Sequence, residues 1–299
     1  MLLTPLASSY DVLLLDLDGC VWVGDEPTPG AVAAVDAVRA AGKAVGFVTN
    51  DGRHAPEDFV RKLWRLGFKA AVEEVVTVGG ALQHVLNQRH SGRTAYVIGS
   101  EVVHGHVADA GLKVVNHTAF ATRAEVVVVA GHDRFGYDEL REATQAVLRG
   151  ADLVGAGRDA TFPMPDGPWP ATGAVLAAVE AATGRTAWTV GKPEPQLFLT
   201  ALDRLGGDSS RRERAGDEVR ALVVGDRLDA DVAGAKAAGL DAAVVLTGAT
   251  DEEEARDALA ATERARARAA ARDEGTEAAD EAPGGLVAVA PTLAELLLS

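Results

Sequence analysis

"LLLDLDGCVW", residues Leu13–Trp22, sets a buried-looking apolar run directly against two aspartates. With Val12 in front, the run reads as a short strand, Val12–Leu15, whose aliphatic side chains suit a sheet covered on both faces. Such a strand does not end on Asp16 and Asp18 unless something holds their charge. Gly19 lets the chain turn sharply right after them, because it has no Cβ. What shares those two charges is the question that the rest of the sequence answers.

Outward from this stretch the same pattern recurs. Short apolar runs lie at Ala44–Thr49, Ala95–Ile98, Val126–Ala130, Trp188–Val190, Ala221–Val224 and Ala242–Leu246. Helical patterns separate them, at Ala31–Ala41, Pro56–Leu66, Ala81–Gln88, Tyr137–Arg149, Gly173–Thr183, Pro195–Leu205 and Ala230–Ala238. Strand and helix in alternation predict βαβ units and a mostly parallel sheet, an α/β fold. "LVAVAPTLAELLL", Leu286–Leu298, reads as a closing strand and helix around Pro291. Two stretches break the pattern, Gly206–Arg220 and Thr250–Gly285. The second is charged and of low complexity. Its Ala, Glu and Arg favour helix in part, and it is expected as a solvated insertion or linker.

In open parallel sheets, ligands bind beyond the carboxyl ends of the strands. Four clusters stand there: Asp16, Asp18 and Gly19; "VTND" with Thr49, Asn50 and Asp51; "VGKPEP" with Lys192; and "VVGDRLDAD" with Asp226, Asp229 and Asp231. Each alone is an ordinary turn, since Asp, Asn, Gly and Pro are common in turns. If the strands are parallel neighbours, all four meet at one edge of one sheet. Several carboxylates brought together repel one another and call for a hard divalent cation, and oxygen ligands suit Mg²⁺. Lys192 adds a fixed positive charge and Thr49 a hydroxyl. Cation, lysine, hydroxyl and strand-end amides together make a site for a phosphoryl group. A carboxylate there can attack phosphorus and form an aspartyl-phosphate. Asp16, directly on the strand, is the more rigidly held and suits in-line attack. Asp18, in the loop, suits proton transfer to the leaving oxygen and from the attacking water.

The bulk composition fits this reading. The chain has 299 residues, 47% hydrophobic and 24% charged, and a formal net charge of −15. That charge argues against a nucleic-acid partner or an anionic membrane surface. Cys20 is the only cysteine, so no internal disulfide forms. No apolar run reaches the roughly 18 residues of a membrane span, and "MLLTPLASSYD" lacks the basic start of a signal peptide. A soluble, cytoplasmic protein is expected.

With these residues in place, the sequence resembles the haloacid dehalogenase superfamily, mostly Mg²⁺-dependent phosphatases. It is closest to the NagD-like, 4-nitrophenylphosphatase-like branch, subfamily IIA. "LLDLDGCVW", "FVTND", "VGKPEP" and "VVGDRLDADVAGAKAAG" resemble the four motifs of that family, and "VLTGAT" (Val245–Thr250) also resembles the branch. "VVVVAGHDRFGYDEL" and "GRDATFPMPDGPWPATGAVLAAV" resemble its cap. The resemblance implies a doubly wound parallel-sheet core, 1–81 and 188–299, with an inserted α/β cap domain, 82–187, and places the 250–285 insertion within the core. It implies Asp16 as nucleophile and metal ligand, and Asp18 as general acid and base, ligating Mg²⁺ through its carbonyl. Thr49, Asn50 and Lys192 bind phosphate. Asp226 is a metal ligand, Asp231 supports the metal from behind, and Asp229 lends structural support. The substrate implied is a small phosphorylated metabolite, and homodimers through the cap are usual in the branch. True dehalogenases of the superfamily lack the second aspartate, so Asp18 favours phosphate ester hydrolysis.

The sequence departs from the family at three places. Asp51 replaces the last Asn of a usual T-N-N, Gly157 stands where Asn is frequent, and Cys20 where Thr or Val is. A small buried thiol is the reading for Cys20. His104 and His106 form an H-x-H pair, read as metal-binding only if further ligands join. His132–Asp133 reads either as a substrate-facing pair or as a helix-capping loop, and Arg158 and Trp169 as specificity elements. Gly79–Gly80 lacks the pattern of a nucleotide loop. Two readings from other classes share these residues: a receiver-like signalling module, and an inactive scaffold.

Overall fold

The computed structural model describes residues 2–131, 134–164, 167–206, 219–273 and 284–299. The chain divides into two compact units, one of 1–49, 56–76 and 192–299, the other of 50–55 and 77–191. Among the described residues, no helix is long and apolar enough to cross a membrane.

The first unit is built on a six-stranded sheet. Its strands run in the order Leu286–Ala290, Asp241–Val245, Ala221–Gly225, Val12–Asp16, Ala44–Thr49, Val75–Thr77. The first five pair in parallel. Leu13, Leu14 and Leu15 are fully buried, as a strand at the centre of a doubly wound sheet requires. On one face Leu13, Leu15 and Phe47 pack with Ala34, Val35 and Val38 of the Ala31–Ala40 helix and with Leu293 and Leu297. Each such aliphatic or aromatic side chain contributes roughly 1.5–3 kcal/mol on burial. On the other face the Gln196–Gly206 helix comes down over Gly46, where a Cβ would lie 2.5 Å from Leu205 Cδ1. The closing strand and helix around Pro291 form at Leu286–Ala290 and Leu293–Leu297.

Chain order along this sheet reverses between Val12–Asp16 and Ala221–Gly225. That is the switch point, where the crevice for a ligand opens in sheets of this kind. The register sets Leu15 against Val224 and Asp16 against Val48. Asp16, Thr49 and Asp226 therefore leave the sheet at the same edge.

The second unit has its own five-stranded sheet, in the order Trp188–Thr189, Asp152–Gly155, Val126–Val129, Thr94–Ile98, Lys113–Val114, all parallel. Val127, Val129 and Leu153 pack with Ala143, Val147, Leu176 and Val179 from the Tyr137–Leu148 and Thr172–Thr183 helices. A short antiparallel hairpin joins Thr161–Met164 to Gly167–Pro170.

Two expectations change here. The strand at Trp188 pairs with Asp152–Gly155, so it belongs to the second sheet and Lys192 does not follow a strand of the first. The charged stretch after Thr250 opens as a helix, Glu252–Asp273, and is not simply a solvated insertion. Ala255 is buried with Val244 and Leu286, and Ala258 and Leu259 pack against them. An apolar residue every three or four positions is enough to dock the helix on the sheet. The stretch 207–218 and the stretch 274–283 lie outside the described residues.

Candidate active site

Asp16 is the last residue of its strand and is 7% exposed. Lys192 Nζ donates to Asp16 Oδ1 at 2.5 Å and to Asp231 Oδ1 at 2.7 Å. Lys192 is buried, as are Asp226 and Asp231. Asp16, Asp226 and Asp231 each offer a carboxylate oxygen within 4.8 Å of the others, and among the described residues they are the one metal-competent group of acids, histidines or cysteines. Among the described residues, His104 and His106 belong to no such group; His106 Nδ1 pairs with Gln83 Oε1 at 2.8 Å.

The carboxylates are held from behind by backbone. Asp231 lies in a wide helical turn, Leu228–Val232, that follows the Ala221–Gly225 strand. Its Oδ2 accepts from the Arg227 N–H at 3.1 Å. Asp226 Oδ2 accepts from the Ala249 N–H at 2.7 Å, and the Thr250 N–H donates to the Asp226 carbonyl at 3.1 Å. Thr247 Oγ1 donates to the Gly19 carbonyl at 2.5 Å, joining that loop to the first. Glycines make room for this packing. A Cβ at Gly19 would stand 2.4 Å from Asp226 Oδ2, and one at Gly225 would stand 2.1 Å from Asp231 Cγ. Gly19 also has φ +82, a left-handed conformation that favours glycine.

The charge balance is uneven. Three carboxylates face one ammonium in a buried place. Burial pushes Asp16 up to about 8, against the pull of Lys192, and Asp231 raises it further. Burial also raises Asp226, although the Ala249 N–H opposes it. Burial alone would lower Lys192, but Asp16 and Asp231 outweigh it and hold the ammonium above its ordinary value. A divalent cation bound to oxygen ligands would restore the balance, so the donor set fits Mg²⁺. The Cys20 thiol is buried and pushed up by burial and by Asp16, which makes it inert.

Asp18 stands apart from the three. It is exposed, and its Oδ1 accepts from the indole Nε1 of Trp22 at 2.7 Å. Thr49 is buried at the end of its strand, and Asn50 Nδ2 donates to Asp159 Oδ2 at 3.1 Å. Asp51 adds no bare negative charge. Its carboxylate accepts from the Arg53 N–H at 2.8 Å and pairs with the Arg53 guanidinium and with His54 Nδ1 at 2.9 Å. Burial works against it, but Arg53 and His54 hold its carboxyl below the usual range. Asp229 pairs with Arg227 at the surface.

A Cβ at Gly79 would lie 2.6 Å from His106 Cδ2, so the glycine lets two helices approach. Arg158 is tied to Glu180 at 3.0 Å and to the Ala187 carbonyl at 2.8 Å. Trp169 lies on the hairpin, and Gly157 follows the Asp152–Gly155 strand. His132 and Asp133 are outside the described residues. Sequence reading quoted the stretches that hold Gly225, Thr247, Gly248 and Ala249 but gave these backing residues no role. The last three follow the Asp241–Val245 strand, so the rule that pointed to Asp16 points to them as well.

The sequence profile of the haloacid dehalogenase-like hydrolases matches residues 13–113, and a second HAD-hydrolase-like profile matches 189–271. A D-glycerol 3-phosphate phosphatase from Mycobacterium tuberculosis is 38% identical over 244 residues, 81% of this chain. The chain spans only 65% of that protein's length. Chronophin from Rattus norvegicus is 34% identical over 258 residues, covering 83% of this chain and 80% of that protein. A crystal structure of a glycerol phosphate phosphatase from Mycobacterium tuberculosis in complex with magnesium aligns with a TM-score of 0.73 at 38% identity, over 85% of this chain and 71% of that one. With Asp16, Lys192, Asp226 and Asp231 grouped as described and these likenesses across most of its length, the chain belongs to the haloacid dehalogenase-like hydrolases.

Proposed function

We propose that this protein is a Mg²⁺-dependent phosphatase that hydrolyses phosphate monoesters of small metabolites through a phospho-aspartyl intermediate on Asp16. The observation that carries this is Lys192, a buried ammonium bridging Asp16 and Asp231 beside Asp226 at the switch-point edge. Asp16 and Asp226 each have one oxygen engaged, by Lys192 and by the Ala249 N–H. Their second oxygens, with the Asp18 carbonyl, would hold the metal. Both oxygens of Asp231 are hydrogen-bonded, to Lys192 and to Arg227, which suits support rather than ligation. When bound, Mg²⁺ supplies neutralising charge to the phosphoryl oxygens.

The chain's own residues do the rest. Lys192, the Thr49 hydroxyl and Asn50 receive the phosphoryl oxygens. A carboxylate oxygen of Asp16 attacks phosphorus as the ester P–O bond breaks, and Asp18 gives its proton to the departing alkoxide. Water then attacks the aspartyl-phosphate, Asp18 takes its proton, and inorganic phosphate leaves with Asp16 regenerated. The inserted unit is the cap that selects the substrate and limits its size. The protein works in the cytoplasm, as a homodimer through that unit. The mycobacterial relative makes glycerol 3-phosphate the first substrate to try.

Phosphate release from a panel of phosphorylated metabolites, with Mg²⁺ and with EDTA, tests the proposal. Mg²⁺-dependent release from a small monoester is expected. No release from any, with a stable aspartyl-phosphate after treatment with acetyl phosphate, would favour the receiver-like reading.

A further inference from the structure

We infer that Trp22 is the positioning residue of the proton-transferring Asp18, holding its carboxyl in place through one fixed hydrogen bond. This rests on the phosphatase reading above.

Trp22 is 1% exposed, yet its Nε1 donates at 2.7 Å to Oδ1 of a residue that is itself exposed. A buried anchor thus holds a side chain that must reach solvent and substrate. The anchor is fixed three ways. The Trp22 N–H donates to the Leu17 carbonyl at 3.1 Å. The Gly19 N–H donates to the Trp22 carbonyl at 2.8 Å, so the loop closes on either side of Asp18. Lys62 Nζ lies 4.4 Å from the centre of the indole ring and donates to the Gly24 carbonyl at 2.8 Å, so the Pro56–Arg65 helix pins the ring face.

The chemistry of the donor gives this contact a role beyond packing. Indole N–H only donates. It bonds a carboxylate oxygen, or the carbonyl oxygen of a neutral acid, in preference to the oxygen that bears the proton. With Trp22 on Oδ1, a proton passed to or from the substrate travels through Oδ2. The same hydrogen bond survives when Asp18 gives that proton up. Lysine or arginine at this place would instead lock Asp18 as an ion pair. Trp22 therefore keeps Asp18 in one rotamer with one reactive oxygen through both half-reactions, which is the placement that general acid catalysis demands.

The signature is a loss that depends on the leaving group. An alkoxide needs the proton; 4-nitrophenolate barely does. Trp22→Phe keeps the ring and removes the donor. The kcat/KM, which stops at formation of the aspartyl-phosphate, should fall at least ~10-fold more for glycerol 3-phosphate than for 4-nitrophenyl phosphate, within the 10²–10⁴-fold range of general acid catalysis. Equal losses on both substrates would overturn the inference and leave Trp22 a packing residue. Should Trp22→Phe fail to fold, the indole N–H resonance of Trp22 decides it in the intact protein. It should shift markedly in Asp18→Asn and little in Asp229→Asn. An unmoved resonance in Asp18→Asn would overturn the inference. A wild-type protein that hydrolyses neither ester would count against the phosphatase reading, a separate failure that leaves the resonance test standing.

Discussion

Gly248 stands so close to Asp226 that a Cβ there would lie 1.9 Å from Oδ2 and 2.4 Å from Cγ. No side chain fits that gap. The loop after one core strand therefore presses on the carboxylate after its neighbour, and the Ala249 N–H completes the grip.

Gly248→Ala should displace Asp226 while leaving the sheet intact. A shift of about 1 Å at a reacting group can cost about 10²-fold. Activity should drop by about that factor, and the rise in Tm on adding Mg²⁺ should shrink. Differential scanning fluorimetry with and without Mg²⁺, beside a phosphate-release assay, checks both. Wild-type behaviour in both would mean that the loop yields easily.

Lys192→Met should destabilise the Mg²⁺-free protein. It strands Asp16 and Asp231 without their buried partner. Removing one side of a buried ion pair costs about 3–5 kcal/mol. Urea unfolding should show that loss. Adding Asp231→Asn to the variant should return part of it, with a coupling of roughly 0.5–3 kcal/mol in the double-mutant cycle.

Stability without metal should fall as pH rises. Folded Asp16 keeps its proton up to about pH 8, whereas an unfolded aspartate loses it near about pH 4. Between those values the folded state binds the extra proton, so raising pH weakens it. Asp226 shifts in the same direction. In EDTA, Tm should be lower at about pH 8 than at about pH 5.5, and Asp16→Asn should show a smaller fall. Mg²⁺ at the higher pH should bring the wild-type Tm back up. An equal fall in wild type and Asp16→Asn would contradict the origin assigned to it.

Most of the first sheet was legible because its strands are short, aliphatic and followed by turn residues. Ala44–Thr49 has the same bounds in sequence and structure. Val75–Thr77 and Lys113–Val114 were too short to carry a period, and Asp152–Gly155 begins on a charge. The Glu101–Asp109 helix hid behind three valines and Gly105, poor helix formers that packing overrides. Within the site, Asp16, Thr49 and Asp226 were readable from the rule that function sits past strand ends. Lys192 was readable as chemistry but not as topology, because its preceding strand joins the other sheet. The closeness of Gly248 to Asp226 was not readable at all. It depends on two backbones meeting, and no local pattern encodes that.

Asp16→Asn tests the central claim most directly. The substitution keeps the size of the side chain and a donor-acceptor pair near Lys192, but removes the nucleophile. Steady-state turnover of 4-nitrophenyl phosphate with Mg²⁺ should be readily measured in the wild type and fall to background in the variant, with the fold preserved by circular dichroism. Substantial turnover by a correctly folded Asp16→Asn would falsify the assignment of Asp16 and the phospho-aspartyl route built on it.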